Sequence, residues 1–221
     1  MDEWYPNRRR GYAWPRDQLQ HLQNGASSEL PVSKSALFLD RDGVINVDFG
    51  YVHKVSDFVF CDGIFDLVRT ANQNHITVIV VTNQAGIGRG YFSDETFQEL
   101  TEWMRGQFVN MNTRIDHVYF SPYHPTEAIG AYRKDDFSRK PNPGMLLQAM
   151  AEHDIDLSQS LLVGDNISDM QAGLAAGVQL NLLLDNQGLH ENVDMPRTRR
   201  ISRLIDAIPF LMGIGNDKGK S

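Results

Sequence analysis

From residue 36 onward the sequence alternates short, continuously apolar runs with longer amphipathic stretches, and this alternation limits the possible folds most strongly. Runs without a polar side of their own are typical of parallel strands that are buried on both faces. Strand and helix in strict alternation predict an α/β domain built on a doubly wound parallel sheet. The predicted strands are residues 36–39, 76–81, 117–120, 161–163 and 178–184, and the predicted helices are 64–74, 94–111, 144–153 and 167–176.

The 221 residues divide into three predicted parts. Residues 1–33 form a polar, aromatic-rich N-terminal extension, residues 34–212 form the α/β domain, and residues 213–221 form a flexible tail. The sequence shows no second hydrophobic core, so we expect no large cap domain.

Composition excludes several classes of function. With 21 basic against 28 acidic residues the net charge is −7, which argues against binding to nucleic acid or to an anionic membrane surface. A single cysteine, Cys61, rules out an internal disulfide and a zinc site made of several cysteines. The longest aliphatic run is too short to span a bilayer and no signal peptide is recognised, so we expect a cytoplasmic protein.

Polar residues follow the predicted strands where each one ends. Asp40 and Asp42 follow the first strand, Thr82 follows the second, and Asp165 follows the fourth, while Lys140 leaves a long loop before a helix. Aspartates after strands also cap turns and helices, and this explanation stays open for the first pair alone. The whole set, which converges on one edge of the sheet, is what phosphoryl transfer needs: a nucleophile, an acid, a magnesium site and donors to the phosphoryl oxygens.

These motifs resemble those of the haloacid dehalogenase (HAD) superfamily, in the expected order: Asp40-x-Asp42, Thr82, Lys140 and Gly164-Asp165-x-x-x-Asp169. More narrowly, the sequence is similar to D-glycero-D-manno-heptose 1,7-bisphosphate 7-phosphatases and their histidinol-phosphatase relatives. The runs that carry this similarity are residues 38–46, 50–53, 81–90 and 139–145.

The resemblance implies a mechanism. Asp40 would be the nucleophile, and Asp42 would protonate the leaving group and then activate water. Mg²⁺ would bind the Asp40 carboxylate, the backbone carbonyl of Asp42, and Asp165, since this ion prefers oxygen ligands. Thr82 and Lys140 would hold the phosphoryl oxygens in the transition state.

The resemblance also implies the substrate contacts. Arg139 would recognise the distal phosphate of a bisphosphate, for which a guanidinium fork is well suited. Asn166 stands where many of these phosphatases have a lysine, which removes one positive charge from the phosphate site. The substrate-binding residues implied are Asp48, Gly50, Tyr51, Asn83, Gln84, Ala85, Arg139 and Asn166.

The family commonly folds its long loop around zinc, and here the four ligand positions hold other residues. They are Ser121, Tyr123, Asp136 and Ser138. Hydroxyl groups are poor zinc ligands beside thiolate and imidazole, so we expect no structural zinc.

The expected function is therefore Mg²⁺-dependent hydrolysis of the 7-phosphate of D-glycero-D-manno-heptose 1,7-bisphosphate through an aspartyl-phosphate, on the way to nucleotide-activated heptose and lipopolysaccharide. Two alternatives stay open: a histidinol-phosphate phosphatase, and a non-catalytic binding or scaffold protein on a degenerate phosphatase fold. The expected partner is a small sugar phosphate, and the expected state is a monomer or weak homo-oligomer.

Overall fold

The structure, a computed structural model, describes residues 34–186, 188–190 and 193–214. Its strands in this part of the chain are β1 (Ala36–Leu39), β2 (Thr77–Asn83), β3 (His117–Ser121), β4 (Leu161–Gly164), β5 (Leu180–Leu184) and β6 (Thr198–Ile201). Its α-helices there are α1 (Ile64–Gln73), α2 (Ala85–Gly88), α3 (Asp94–Asn110), α4 (Gly144–His153), α5 (Ile167–Ala176) and α6 (Ile208–Gly213). None of these helices is long and apolar enough to cross a membrane.

The strands form one parallel sheet in the order β3-β2-β1-β4-β5-β6. The chain winds outward from β1 to β3, returns to the centre at β4, and winds outward in the other direction to β6. The fold is the predicted doubly wound α/β architecture. The strand order reverses between β1 and β4, and ligands of such sheets bind at this switch point, beyond the carboxyl ends of the strands.

Two hydrophobic layers cover the sheet because alternate residues of each strand point to opposite faces. Leu37 and Leu39 of β1 belong to the layer that includes α1 and α3. Ala36 and Phe38 belong to the other layer, which includes α4 and α5. Both faces of the central strands are therefore buried, which explains their unbroken apolar sequences.

The four predicted helices and five predicted strands are present, with ends that differ by at most three residues. The edge strand β6 was not predicted, because its two central residues, Arg199 and Arg200, are exposed and charged. Its pairing with β5 comes from backbone hydrogen bonds that leave little trace in the sequence. The short helices α2 and α6 were missed as well.

The predicted N-terminal extension lies outside the described residues. At the other end, Gly213 is the last residue of α6, and the predicted tail beyond residue 214 also lies outside them. These two predictions, and the domain boundaries that depend on them, stay predictions.

Two histidine rings stack near the outer edge of the sheet. His117 at the start of β3 lies 3.5 Å, centroid to centroid, from His153 at the end of α4. The hydroxyl of Tyr119 donates a 2.6 Å hydrogen bond to Glu152 and lies 2.8 Å from Nε2 of His153. Burial, followed by the neighbouring His153, lowers the pKa of His117 to about 4.

This stacked pair should stabilise the folded protein less in mild acid than at neutral pH. The folded pKa of His117 lies below its ordinary value of 6.5, so between about pH 6.5 and pH 4 the unfolded chain binds a proton at this residue that the folded chain does not. The contribution of His117 to the free energy of unfolding should therefore fall as the pH falls through this window. Urea denaturation of the wild type and of a matched variant at pH 7.5 and pH 5 measures this contribution as a difference.

His117→Gln is the matched variant, since it keeps a polar side chain without the titration. Relative to the wild type, the free energy of unfolding of this variant should rise as the pH falls from 7.5 to 5. An equal change in both proteins would show that the titration of His117 does not contribute to the pH dependence.

Candidate active site

The two aspartates at the switch point lie side by side because of strand register. Leu39 of β1 pairs with Val163 of β4, so Asp40 and Asp165 follow these strands at the same edge of the sheet. Together with Asp169 on the first turn of α5, each offers a carboxylate oxygen within 4.8 Å of the other two. The predicted convergence of carboxylates is present in the structure.

Lys140 ties this cluster to the long loop. Its ammonium nitrogen lies 3.0 Å from Oδ1 of Asp40 and 2.6 Å from Oδ1 of Asp169, and it donates a 2.8 Å hydrogen bond to the carbonyl of Val81. The residue is only 3% exposed, so the charge of Lys140 is compensated by these acids rather than by water. It follows that one buried cation connects β1, β2 and α5.

The Asp42 carboxylate accepts hydrogen bonds from three side chains. The buried guanidinium of Arg41 donates to it at 2.8 Å, and the side-chain amides of Asn46 and Gln84 donate at 3.0 and 2.9 Å. Arg41 also donates to the carbonyl of Val52, which follows the predicted substrate-binding segment. These contacts orient the Asp42 carboxylate at the edge of the site.

Two of the acids carry strongly shifted pKa values. Burial raises the pKa of Asp40 to about 7, although the charge of Lys140 acts against the shift. Burial, with the charge of Asp40 next in size, raises the pKa of Asp165 to about 8. A pair of buried carboxylates with a single ammonium nearby lacks positive charge, and a divalent cation with oxygen ligands supplies what is missing. The donor set therefore fits Mg²⁺, with Asp40 and Asp165 as its side-chain ligands.

The end of β2 supports the site through amide side chains. Asn83 forms a double hydrogen bond with the backbone of Lys140, as donor to its carbonyl and acceptor from its N–H, both at 3.0 Å. Gln84 donates to the hydroxyl of Thr82 at 3.0 Å as well as to Asp42. Both amides, predicted to bind substrate, form their hydrogen bonds with residues of the predicted catalytic set in this structure.

The remaining predicted substrate residues lie on four segments. Asp48 accepts a hydrogen bond from the N–H of Gly50, and Tyr51 follows with a left-handed φ of 54°. Arg139 is half-buried and donates to the carbonyl of Tyr123 at 2.9 Å. Ala85 begins α2. Asn166 caps α5, since its side chain accepts from the N–H of Ser168 while Asp169 accepts from the N–H of Asn166.

The four positions predicted to lack zinc are joined by hydrogen bonds and charge. The Ser138 hydroxyl donates to Asp136 at 2.6 Å and lies 3.0 Å from the Ser121 hydroxyl. Lys134 lies 2.7 Å from Asp136 and 4.0 Å from the ring centroid of Tyr123. The ammonium group of Lys134 thus sits between a carboxylate and an aromatic face, and this cluster holds the two ends of the loop together.

Comparison with known proteins gives these motifs a family. Over 184 residues the chain is 50% identical to a D-glycero-α-D-manno-heptose-1,7-bisphosphate 7-phosphatase of Burkholderia mallei, covering 83% of this chain and 97% of that protein. The chain belongs to this family of heptose bisphosphate phosphatases. A β-anomer phosphatase of Haemophilus influenzae is 46% identical over 67% of this chain and 80% of its own length.

The wider fold family is matched as well. The family model described as HAD-hydrolase-like matches residues 137–206. A D,D-heptose 1,7-bisphosphate phosphatase from B. bronchiseptica, solved with magnesium and phosphate, superposes with a TM-score of 0.72 at 27% identity, covering 81% of this chain and 98% of that one. The resemblance stated from sequence motifs is confirmed.

Several contributors were missed by the sequence reasoning. Arg41 and Asn46 orient Asp42, and Asp169 pairs with Lys140, yet none of the three was given a role. Gly43 was missed too: it has a φ of +83°, and a Cβ built there would collide with the Asp165 carboxylate. All four residues lie within the motifs and runs given above, but only the folded chain shows which of their atoms are in contact.

Gly43→Ala should weaken magnesium binding. The added methyl group displaces the carboxylate of Asp165, so we expect the magnesium concentration that gives half-maximal activity to rise at least tenfold. Calorimetric titration with Mg²⁺ measures the same loss without turnover.

Gly177→Ala is the control, because Gly177 has a similar φ of +86° and open space around its Cβ position. Both variants should lose stability by about 1–2 kcal/mol through left-handed strain, but Gly177→Ala should bind magnesium normally. A normal magnesium response in Gly43→Ala would contradict the assignment of Asp165.

The loop cluster predicts stability without zinc. We expect elemental analysis to find no zinc and a zinc chelator to leave the melting temperature unchanged. Asp136→Ala should speed proteolytic cleavage within residues 122–143, because it removes the acceptor of Ser138 and Lys134. Asp135→Ala, at the adjacent exposed position, should be cleaved at the wild-type rate. Equally faster cleavage of both variants would contradict a structural role for the cluster.

Proposed function

We propose that this protein is a Mg²⁺-dependent phosphatase that hydrolyses the 7-phosphate of D-glycero-D-manno-heptose 1,7-bisphosphate. The observation that carries the proposal is the buried Lys140 ammonium between Asp40 and Asp169, beside Asp165 at the switch point of the sheet. Membership of a family whose named relatives act on this substrate supports the identity of the ester.

Chemically, the Asp40 carboxylate attacks phosphorus as the bond between phosphorus and the sugar oxygen breaks, which gives an aspartyl-phosphate and a sugar alkoxide. Asp42 donates its proton to that oxygen. Asp42 then takes a proton from a water molecule, whose oxygen attacks the aspartyl-phosphate and releases inorganic phosphate and free Asp40. When bound, Mg²⁺ supplies positive charge to the phosphoryl oxygens and keeps the Asp40 carboxylate ionised.

The phosphoryl group is held by Lys140 and Thr82. Burial opposes the charge on Lys140, but Asp169 and Asp40 outweigh it and raise its pKa, so the ammonium persists over the whole working range of pH. The Thr82 hydroxyl, buried and fixed by Gln84, donates to a second oxygen. Thr82 is positioned by Gln84, and the Lys140 ammonium lies beside Asp40, the predicted acceptor of the phosphoryl group, so both donors are close to where charge moves onto the phosphoryl oxygens.

Named relatives favour the heptose ester over histidinol phosphate, and the complete catalytic set opposes the scaffold alternative. We propose a preference for the α anomer, supported by the 50% identity to a phosphatase named for that anomer. The product would lead to nucleotide-activated heptose and lipopolysaccharide. A cytoplasmic location and a monomer or weak homo-oligomer stay part of the proposal, resting on composition alone.

A panel of phosphate esters tests the proposal. The α and β anomers of the heptose bisphosphate and histidinol phosphate are compared by kcat/KM with Mg²⁺ present. We expect the α-bisphosphate to be hydrolysed fastest and Asp40→Asn to abolish turnover of every ester, because the amide cannot act as nucleophile.

Preference for histidinol phosphate would overturn the substrate assignment. Faster hydrolysis of the β anomer would overturn the anomeric preference and leave the reaction in place. Wild-type turnover in Asp40→Asn would overturn the mechanism.

A further inference from the structure

A second group of charged side chains lies on the loops next to the catalytic set. Arg89 follows α2 and forms an ion pair with Glu127 of the long loop. Its guanidinium carbon lies 5.4 Å from the ring centroid of Tyr51, and its side chain is 20% exposed. Its buried Nε finds no hydrogen-bond partner among the described residues, so Arg89 retains donor capacity.

Arg139 faces the same group. It precedes Lys140 in the chain, and one of its terminal nitrogens is occupied by the carbonyl of Tyr123. Arg139 binds the carbonyl of Tyr123, and Arg89 pairs with Glu127, whose N–H donates to His124 beside Tyr123, so both guanidinium groups contact the same short stretch of the loop. Burial, followed by the charge of Arg89, lowers the pKa of Arg139. The charges of Tyr51, Asp135 and Glu127 have the opposite effect and raise the pKa of Arg139. Two half-buried cations held near each other favour an anion between them.

The carboxylate of Glu127 is placed so that another anion can displace it from Arg89. Its side chain is 54% exposed, and its own N–H donates to Nδ1 of His124 at 3.1 Å, so the backbone is anchored while the carboxylate reaches Arg89 from the solvent side. Exposed ion pairs of this kind contribute little stability. A phosphate group, with three terminal oxygens and a larger charge, can accept from two arginines at once.

The ion pair is not needed to hold the loop on α2. The N–H of Ile129 donates to the carbonyl of Gly88 at 2.8 Å, which already fixes the loop beside Arg89. Ala128, next to Glu127, is fully buried and accepts from the guanidinium of Arg133. A purely structural role for the Arg89–Glu127 pair would therefore duplicate contacts that are present without it.

We propose that Arg89 joins Arg139 in binding the distal phosphate of the substrate, and that Glu127 competes with this phosphate for Arg89. The choice of a bisphosphate as ligand rests on the proposed function. Arg89 then determines specificity for a bisphosphate over a monophosphate, and Glu127 limits the affinity.

The test compares two esters that share the reacting phosphate. The kcat/KM of heptose 1,7-bisphosphate is divided by that of heptose 7-phosphate, which lacks the distal group. In Arg89→Ala this ratio should fall about tenfold to hundredfold, the effect of losing a charge-assisted hydrogen bond. Arg114→Ala is the control: it removes the same charge near the amino ends of the strands, where Arg114 pairs with Asp116, and should keep the wild-type ratio.

Glu127→Gln should change this ratio of kcat/KM values in the opposite direction. Without the competing carboxylate the ratio should rise about threefold to tenfold, the range expected for a weak exposed ion pair. A purely structural tie predicts instead that both substitutions slow both esters equally. An unchanged ratio in Arg89→Ala, or a fall in Glu127→Gln, overturns the proposal.

A second measurement separates this inference from the proposed function. If the wild type hydrolyses neither heptose ester, the proposed function fails, and the subsite is judged by heptose 1-phosphate as an inhibitor of p-nitrophenyl phosphate hydrolysis. Its inhibition constant should rise about tenfold in Arg89→Ala. The same constant in both proteins, or no inhibition of the wild type, overturns the two-arginine subsite.

Discussion

The site depends on one buried cation, the ammonium group of Lys140. Asp40, Asp169 and the carbonyl of Val81 surround it, and they come from the ends of two strands and the start of a helix. None of the acids could be buried here without this charge, and Lys140 could not be buried without the acids. An unpaired buried charge costs free energy, so the loop, the sheet edge and α5 adopt the one arrangement in which Lys140 and the acids are paired.

Close backbone approach is the second requirement of the site. Gly43 leaves room for the carboxylate of Asp165, and Gly164 leaves room for Asp169, since a Cβ at either glycine would collide with the neighbouring aspartate. Three carboxylates can share so small a space only because two of the residues around them have no side chain. Burial, with the neighbouring negative charges adding to it, raises the pKa values of Asp40 and Asp165, and these buried acids make the site suitable for a divalent cation.

The long loop is held together by hydrogen bonds and an ion pair. At the positions where the resembled family commonly binds zinc, Ser121, Ser138 and Asp136 form a hydrogen-bonded chain that ends at the ammonium of Lys134. These hydrogen bonds and this ion pair join the two ends of the loop. The loop in turn carries Arg139 and Lys140, so its order fixes the two residues that we propose as phosphate ligands.

The sequence by itself determined the fold class and the order of the main strands and helices, because a strand buried on both faces needs an unbroken apolar run. It also predicts the catalytic set, since the polar residues that follow such strands meet at one edge. It did not show β6, whose charged residues pair through backbone hydrogen bonds alone. Only the tertiary structure decided that Asn83 and Gln84 contact Lys140 and Asp42, that Asp169 shares Lys140, and that Arg89 lies between Tyr51 and Glu127. Such contacts join residues far apart in the chain, and no local pattern of spacing or polarity encodes them.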